Sequence, residues 1–424
     1  MSCRDKVETI DAPARINILG EHVDYVSYVP TASLTFGSDL HRMVMRFKSR
    51  LDDDVRGSSD RPEFEPFVFR LPGSTGSALW SDYLYSRPPP DPHWSNYVRG
   101  AIAYAVWKYG PSLRRGFEFW IGSNIPACGG ASSSSALTVL AGAAIRRVND
   151  IEIEPEELAR DSARAEWFTG TRGGDMDHLT ICLAHDAKAV HLNYSEPSWS
   201  YVDLPSRDVR WVTCFSHPAD KGSEVMIEYN ERAAVARIII PALLADGVSV
   251  EELPQSIRLD GFAQGHPVAM EQCRQAFPAL VRERATRPIA VRDRALHHRH
   301  EILRVERAIS LLRAFSAHAS RSDWNALGAM LDLSHASLRD LYQVSTPEVD
   351  SLYEIIREMP GVFGARLMGG GFGGNILALL TADGVEEFTS RLQSAYYEPR
   401  GRNAMTEGAI MISAPGPGVS LAKD

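Results

Sequence analysis

Residues 123–136 read SNIPACGGASSSSA and sit between two segments of opposite character. Before them, Phe117 to Ile121 reads as a strand; after them, Ser133 to Val148 reads as a helix with Leu137, Leu140 and Ala144 on one face. A strand, a turn of small residues and a helix in that order expose several backbone amides at a helix N-terminus. Gly129 and Gly130 let phosphate oxygens come close, and the hydroxyls from Ser132 to Ser135 either cap the helix or hold a cation that bridges phosphates. Taken alone, the segment reads equally well as a phosphate cradle or as a serine-capped turn with no ligand.

Two further segments extend the pattern. Residues 366–375, RLMGGGFGGN, place five glycines around one phenylalanine, with Gly370 among them, and lead into the apolar run Ile376 to Leu380. A loop so poor in side chains loses much conformational entropy on folding, so it implies close approach of a ligand or another backbone; the plain alternative is a flexible turn between helix and strand. Residues 15–25, RINILGEHVDY, pass from a hydrophobic alternation to Glu21, His22 and Asp24, with Arg15 upstream. Short, rigid acceptors and donors of this kind suit paired hydrogen bonds to adjacent sugar hydroxyls. A surface turn is the alternative; a metal site has no second His or Cys at ligand spacing to support it.

The 424 residues suffice for two cores, because single cores rarely grow to this size. With 44% hydrophobic and 23% charged residues the composition is that of an ordinary globular protein. Met1 to Ala12 contains no apolar stretch of the signal-peptide kind and no long apolar run occurs elsewhere, so a cytoplasmic protein without membrane contact is expected. Five scattered cysteines, Cys3, Cys128, Cys182, Cys214 and Cys273, fit reduced thiols. The net charge of −9, with no sustained basic block, argues against a nucleic-acid surface. A negative chain that handles a nucleotide must then attract phosphate through backbone amides, a metal ion and a few placed cations.

Strand and helix signals intermingle without an internal repeat, which predicts an α/β (α+β) protein. Ala189 to Tyr194 reads as a strand, while Leu51 to Asp60 and Pro88 to Pro92 read as surface connectors. A new strand at Arg210 to Ser216, followed by long helical patterns, predicts a division into residues 1–205 and 206–424. Ile302, Val305, Ile309 and Leu312 form a core-facing helix stripe, and His297, His298 and His300 on the same helix read as surface and packing.

In order and separation the three segments resemble the signature motifs of the GHMP kinase superfamily, in the wording of its galactokinase branch. HWSNYVRG at 93–100, AEWFTG followed by GGDMDH at 165–178, EYNERA at 228–233 and SHASLRDLYQVSTPEVDSL at 334–352 resemble galactokinase segments too. The resemblance implies a two-domain fold, ribosomal-protein-S5-like at the N-terminus, with the active site in the cleft between domains. It implies ATP and Mg²⁺, a small-molecule sugar as partner, and a sugar 1-phosphate as product.

Residue by residue, the resemblance assigns Asp177 of GDMDH as the base acting on the sugar hydroxyl, with Arg15 beside it. Glu21, His22 and Asp24 fall on the sugar-contacting positions, Tyr229 on a tyrosine that closes on the sugar, and Gly370 in the third motif. Gly129, Gly130, Ser132 and Ser133 fall on the phosphate loop, Ser134 and Glu166 on the Mg²⁺ ligands, and Trp94 near the nucleotide base. Two departures bear on the sugar: Val26, Ser27 and Tyr28 replace an Asn-Gly-Gly stretch, and Asp175 adds a second carboxylate beside Asp177. A smaller one lies in the phosphate loop, where Cys128 stands in place of glycine. Galactose, a related aldose, a uronic acid and a longer-chain sugar all remain open on this reading, as does a sugar sensor without turnover.

Overall fold

The computed structural model describes residues 6–73, 76–126, 130–218, 223–315 and 319–421. The first lobe is built on a long antiparallel pair, β1 (Glu8–Leu19) and β2 (Ala32–Ser49), whose register breaks near Arg15 and again before Leu19. β3 (Asp54–Ser59) and β4 (Phe67–Arg70) form an antiparallel pair at one edge of the sheet, followed by α1 (Trp80–Tyr85) and α2 (Ser95–Tyr109). β5 (Phe117–Ser123) runs parallel to β3 and antiparallel to β2, and the serine-rich turn carries the chain into α3 (Ser133–Val148). α4 (Pro155–Glu166) and α5 (Met176–Leu183) precede β6 (Lys188–Asn193) and β7 (Ser198–Asp203), completing the order β4-β3-β5-β2-β6-β7 with β1 also on β2.

The strand and helix expected on either side of the serine-rich turn are present, and the helix spans the residues predicted for it. The connector expected over Leu51 to Asp60 is in part a strand, β3. Only Val55 supplies a fully buried apolar side chain there, too little for a sequence signal. Gly57 completes the strand because the rings of Phe67 and Phe119 fill the space above it: a Cβ would lie 2.6 Å from each.

The second lobe begins with β8 (Val209–Phe215) and α6 (Ser223–Ala234), which continues through a π-helical turn at Val235–Ile239 into α7 (Ile240–Ala245). A small subdomain follows, in which β9 (Ser256–Ile257) pairs with β10 (Ile289–Ala290) around α8 (Leu259–Gly265), α9 (Pro267–Ala276) and α10 (Pro278–Arg284). The long α11 (Arg292–Ala314) packs on α12 (Arg321–Ser337) and on β1, β2 and β7 of the first lobe, α12 lies against the second lobe's sheet, and α13 (Pro347–Arg357) leads into β11 (Val362–Met368) and β12 (Asn375–Thr381). After α14 (Val385–Leu392) and α15 (Ala404–Glu407), β13 (Ile410–Ser413) closes the antiparallel order β11-β12-β8-β13.

The chain then recrosses. β14 (Pro415–Gly416) pairs with β2, and the amides of Gly418, Val419 and Ser420 donate to the carbonyls of Ala184, Ile181 and Asp11 in the first lobe. The lobes also share a hydrophobic core in which Ile16, Ile18 and Phe36 pack with Trp211, Val305, Leu327 and Leu377. Val305, Ile309 and Leu312 of the predicted stripe are buried there, and His297 and His298 are fully buried as well. Cys182, Cys214 and Cys273 are free and buried, and among the described residues no helix is long and apolar enough to cross a membrane.

Candidate active site

Where β1 ends, the chain turns sharply into the first motif. Gly20 has φ +95°, and a Cβ there would sit 2.6 Å from Ser33 Cα, so no other residue fits the approach of the two strands. His22 follows at φ +61°, a conformation that costs a non-glycine residue energy and persists only where the surroundings impose it. Its Nδ1 lies 2.7 Å from the Tyr25 hydroxyl, which is 2.9 Å from that of Tyr342, while Nε2 has no protein partner. Burial, aided by His297 and nearby arginines, pushes the imidazole pKa well below its usual value, so His22 is neutral.

Asp177 lies in the first turn of α5 and meets both other N-terminal motifs. Arg15 donates from Nε to Oδ1 at 2.6 Å, and Ser132 donates from Oγ to Oδ2 at 2.6 Å. Burial by itself would raise the carboxyl, but the Arg15 charge and these two hydrogen bonds outweigh it and hold Asp177 below the usual carboxylate range. Arg15 keeps Nη1 buried and without a protein acceptor. Asp24 experiences the opposite balance: burial, then the charges of Asp175 and Asp177, push it up to about 7 against the pull of the Met176 amide and Arg237. That amide donates to Asp24 Oδ2 at 3.2 Å, and Gly174 lies so close that its Cβ would be 2.3 Å from the Asp24 carboxyl carbon.

Arg15, Glu21, His22, Asp24, Asp177, Tyr229 and Gly370 all line one cavity of about 170 Å³, together with Glu166. Six of the expected sugar-side and catalytic residues, drawn from three separate stretches of chain, therefore converge with Gly370 of the third motif. Tyr229 stands on α6 with its ring 5.8 Å from that of His22, and Gly370 packs against that tyrosine.

The phosphate turn differs in detail from expectation. Gly129 and Cys128 lie outside the described residues. Gly130, at φ +71°, abuts the third motif: a Cβ would be 2.9 Å from the Met368 carbonyl. Ser132 spends its hydroxyl on Asp177, so its side chain helps fix that carboxylate. Ser133 opens α3. Glu166 Oε2 accepts from Ser135 Oγ at 2.9 Å and lies 2.7 Å from His178 Nε2. Ser135, one position beyond the expected Ser134, is thus the serine that touches Glu166, and Ser134 is not among the cavity-lining residues.

Three other expectations are redirected. Glu21 reaches the cavity wall, but its Oε2 is paired with Arg366 Nη2 at 2.5 Å and with the Gly369 amide at 2.9 Å. Asp175, the N-cap residue of α5, turns from the cavity to pair with Arg160 on α4 at 2.9 Å. Trp94 stands outside this cavity, edge-on to Phe67 at 4.8 Å and near Phe64 and Phe119, with Nε1 donating to the Glu65 carbonyl.

The third glycine segment is a fixed loop. Gly369, Gly371, Phe372, Gly373 and Gly374 all have positive φ, the Phe372 amide donates to the Val344 carbonyl at 2.7 Å, and a Cβ on Gly371 would lie 2.4 Å from that carbonyl. Residues that sequence reasoning missed are His178, Trp167 and Arg366. His178 adjoins Asp177 and Arg366 opens the glycine segment, so adjacency was the available signal for both.

Comparison with known proteins agrees with this geometry. Residues 96–185 match the GHMP kinases N terminal domain and residues 308–398 the GHMP kinases C terminal domain. The chain is 30% identical to the galactokinase of Chloroflexus aurantiacus over 421 residues, covering 96% of this chain and 92% of that one. It is 27% identical to a galactokinase of Haemophilus influenzae, covering 93% and 90%. Among solved structures it resembles Lactococcus lactis galactokinase complexed with galactose, with a TM-score of 0.73, 25% identity and coverage of 99% and 96%. The mevalonate kinase of Methanococcus jannaschii, at 15% identity and a TM-score of 0.58 over 96% and 98%, shares the fold.

Proposed function

The chain belongs to the galactokinase family of GHMP kinases, and on that premise we propose that it transfers the γ-phosphoryl group of ATP to the anomeric hydroxyl of galactose or a closely related aldose. The observation that carries the proposal is the meeting of Asp177, Arg15 and Ser132 in the cavity that also presents His22, Asp24 and Tyr229.

In this reading the sugar lies against His22, Asp24 and Tyr229, with its anomeric hydroxyl toward Asp177. The hydroxyl oxygen bonds to the γ-phosphorus as the bond to the leaving ADP oxygen breaks, and the hydroxyl proton passes to Asp177, giving sugar 1-phosphate and ADP. A carboxylate held below its ordinary pKa is a weak base, so Asp177 acts chiefly by orienting the hydroxyl, as phosphoryl transfer requires. Arg15 Nη1, buried and unpartnered, is the donor available to the transferring group.

The donor set fits Mg²⁺. Glu166 uses one carboxylate oxygen for Ser135 and His178, leaving Oε1 for a hard cation, and Mg²⁺ needs only one or two protein oxygens beside phosphates and water. Glu166, with Ser134 or Ser135, would hold the ion, which when bound neutralises phosphate charge. Gly130 and the amides opening α3 would face the phosphates, and Trp94 with its aromatic neighbours the nucleotide base.

ADP release with ATP and Mg²⁺ across a panel of aldoses and uronic acids tests the proposal. Turnover should depend on the sugar, and Asp177→Asn should lower kcat by about 10²–10⁴-fold while sugar still binds. Sugar binding by the wild type without turnover on any member would replace the kinase with a sensor.

A further inference from the structure

The turn that carries Glu21, His22 and Asp24 belongs to the first lobe by sequence, yet its backbone is gripped by a helix of the second. Glu301 on α11 is completely buried. Its Oε1 accepts from the Gly20 amide at 2.8 Å and from Ser334 Oγ on α12 at 2.9 Å, and its Oε2 is paired with Arg304 Nε at 2.8 Å. One helical turn earlier, His297 Nε2 lies 3.2 Å from the Glu21 carbonyl, and its Nδ1 lies 2.9 Å from Ser337 Oγ. Since Nε2 must donate to a carbonyl, Nδ1 accepts from the serine.

Both ends of the Gly20–Glu21 segment are therefore fixed by one face of α11. The ion pair within the helix would satisfy Glu301 without involving the turn, so the Gly20 contact, made across 281 positions of chain, is not needed for helix stability. The turn does need it. Gly20 sits at φ +95° against Ser33 and His22 at φ +61°, and the buried Gly20 amide would otherwise have no acceptor. The Glu21 side chain meanwhile is held by Arg366, whose Nη1 also donates to the Ile18 carbonyl at 3.0 Å.

We propose that Glu301, assisted by His297, is a positioning residue for sugar binding: its carboxylate holds the Gly20 amide so that His22 and Asp24 keep the geometry that receives the sugar. The inference rests on the sugar-kinase reading of the cavity. Glu301 lies outside the cavity lining and reaches the site only through the Gly20 turn, so its effect is expected on the sugar and not on ATP.

The test compares Glu301→Ala, Glu301→Gln and the wild type by steady-state kinetics in both substrates, by calorimetric titration with the best aldose of the panel, and by thermal melting. In Glu301→Ala the sugar KM and Kd should rise about ten-fold or more with the KM for ATP within about two-fold, as expected for loss of a hydrogen bond to a charged group. Glu301→Gln keeps an acceptor for Gly20 but loses the Arg304 ion pair, so it should recover most of the sugar affinity while melting lower than the wild type. If Glu301→Ala does not fold, Glu301→Gln and Ser334→Ala are read by the same titration: the glutamine variant must stay within about three-fold of wild-type sugar affinity, because the Gly20 contact survives.

A folded Glu301→Ala variant with unchanged sugar KM would overturn the proposal. So would equal losses for sugar and ATP, or a glutamine variant with sugar affinity as poor as that of alanine. A wild type that neither binds nor phosphorylates any aldose would instead fell the reading of the cavity, and this proposal with it.

Discussion

Replacing Asp24 with asparagine should make the protein more stable above neutral pH while weakening its hold on sugar. Asp24 is raised from 3.8 to about 7 in the folded protein, first by burial and then by the charges of Asp175 and Asp177. A carboxyl raised on folding contributes stability below its unfolded pKa and loses it as pH climbs through the folded value. Between about pH 4 and pH 7 the unfolded chain ionises this group while the folded chain keeps it protonated, so stability falls with rising pH. The full span would be about 4 kcal/mol at ~1.4 kcal/mol per unit. Asp24 retains some contact with cavity solvent, and halving the figure for that screening leaves about 2 kcal/mol. Asparagine preserves an acceptor for the Met176 amide and carries no charge. Urea unfolding of both proteins without ligands, at pH 4.5 and pH 8, should therefore give similar stabilities at the lower pH and an advantage of about 2 kcal/mol for Asp24→Asn at the higher one. A difference that does not change with pH, or an asparagine variant less stable at pH 8, would refute the electrostatic account of this site.

Two further variants address other parts of the molecule. Trp94→Ala should raise the KM for ATP about five-fold or more and leave the sugar KM unchanged, since the ring stands with Phe64 and Phe67 away from the sugar cavity; steady-state kinetics in each substrate separates the two. Gly328→Ala should cost about 3 kcal/mol in denaturant unfolding, because a Cβ there would lie 2.2 Å from the Phe363 carbonyl and force α12 off β11.

The elements around the serine-rich turn were legible because strand, small-residue turn and amphipathic helix each leave a local pattern, and α3 spans the residues that its periodicity predicted. β3 was not legible, because a six-residue strand with one buried apolar side chain owes its existence to β5 and to the aromatic rings that cover Gly57. The site followed the same division. Which residues gather could be read from motif resemblance, and eight of them, Glu166 included, do line one cavity. How they pair could not, because the pairs span the chain: Arg15 meets Asp177 across 162 positions and Arg366 meets Glu21 across 345. Asp175 beside Asp177 looked like a second site carboxylate, and only the placement of Arg160 on α4 turns it away.

The placement of Arg15 follows from how β1 crosses the molecule. Ile10, Ala12 and Ala14 pack in the core of the first lobe, while Ile16 and Ile18 on the same face pack in the core shared with the second. Arg15 projects from the opposite face where the strand passes from one core to the other, beside a register break, and its amide donates to the Ala131 carbonyl of the phosphate turn. A charged side chain at that crossing is desolvated by both lobes, so it requires a carboxylate, and Asp177 supplies one. The pairing sets the two cavity carboxyls apart: Arg15 lowers Asp177, while Asp24, with no direct cation, rises to about 7. Arg15 thus fixes Asp177 as an anion, while burial and the charges of Asp175 and Asp177 raise Asp24 beside it.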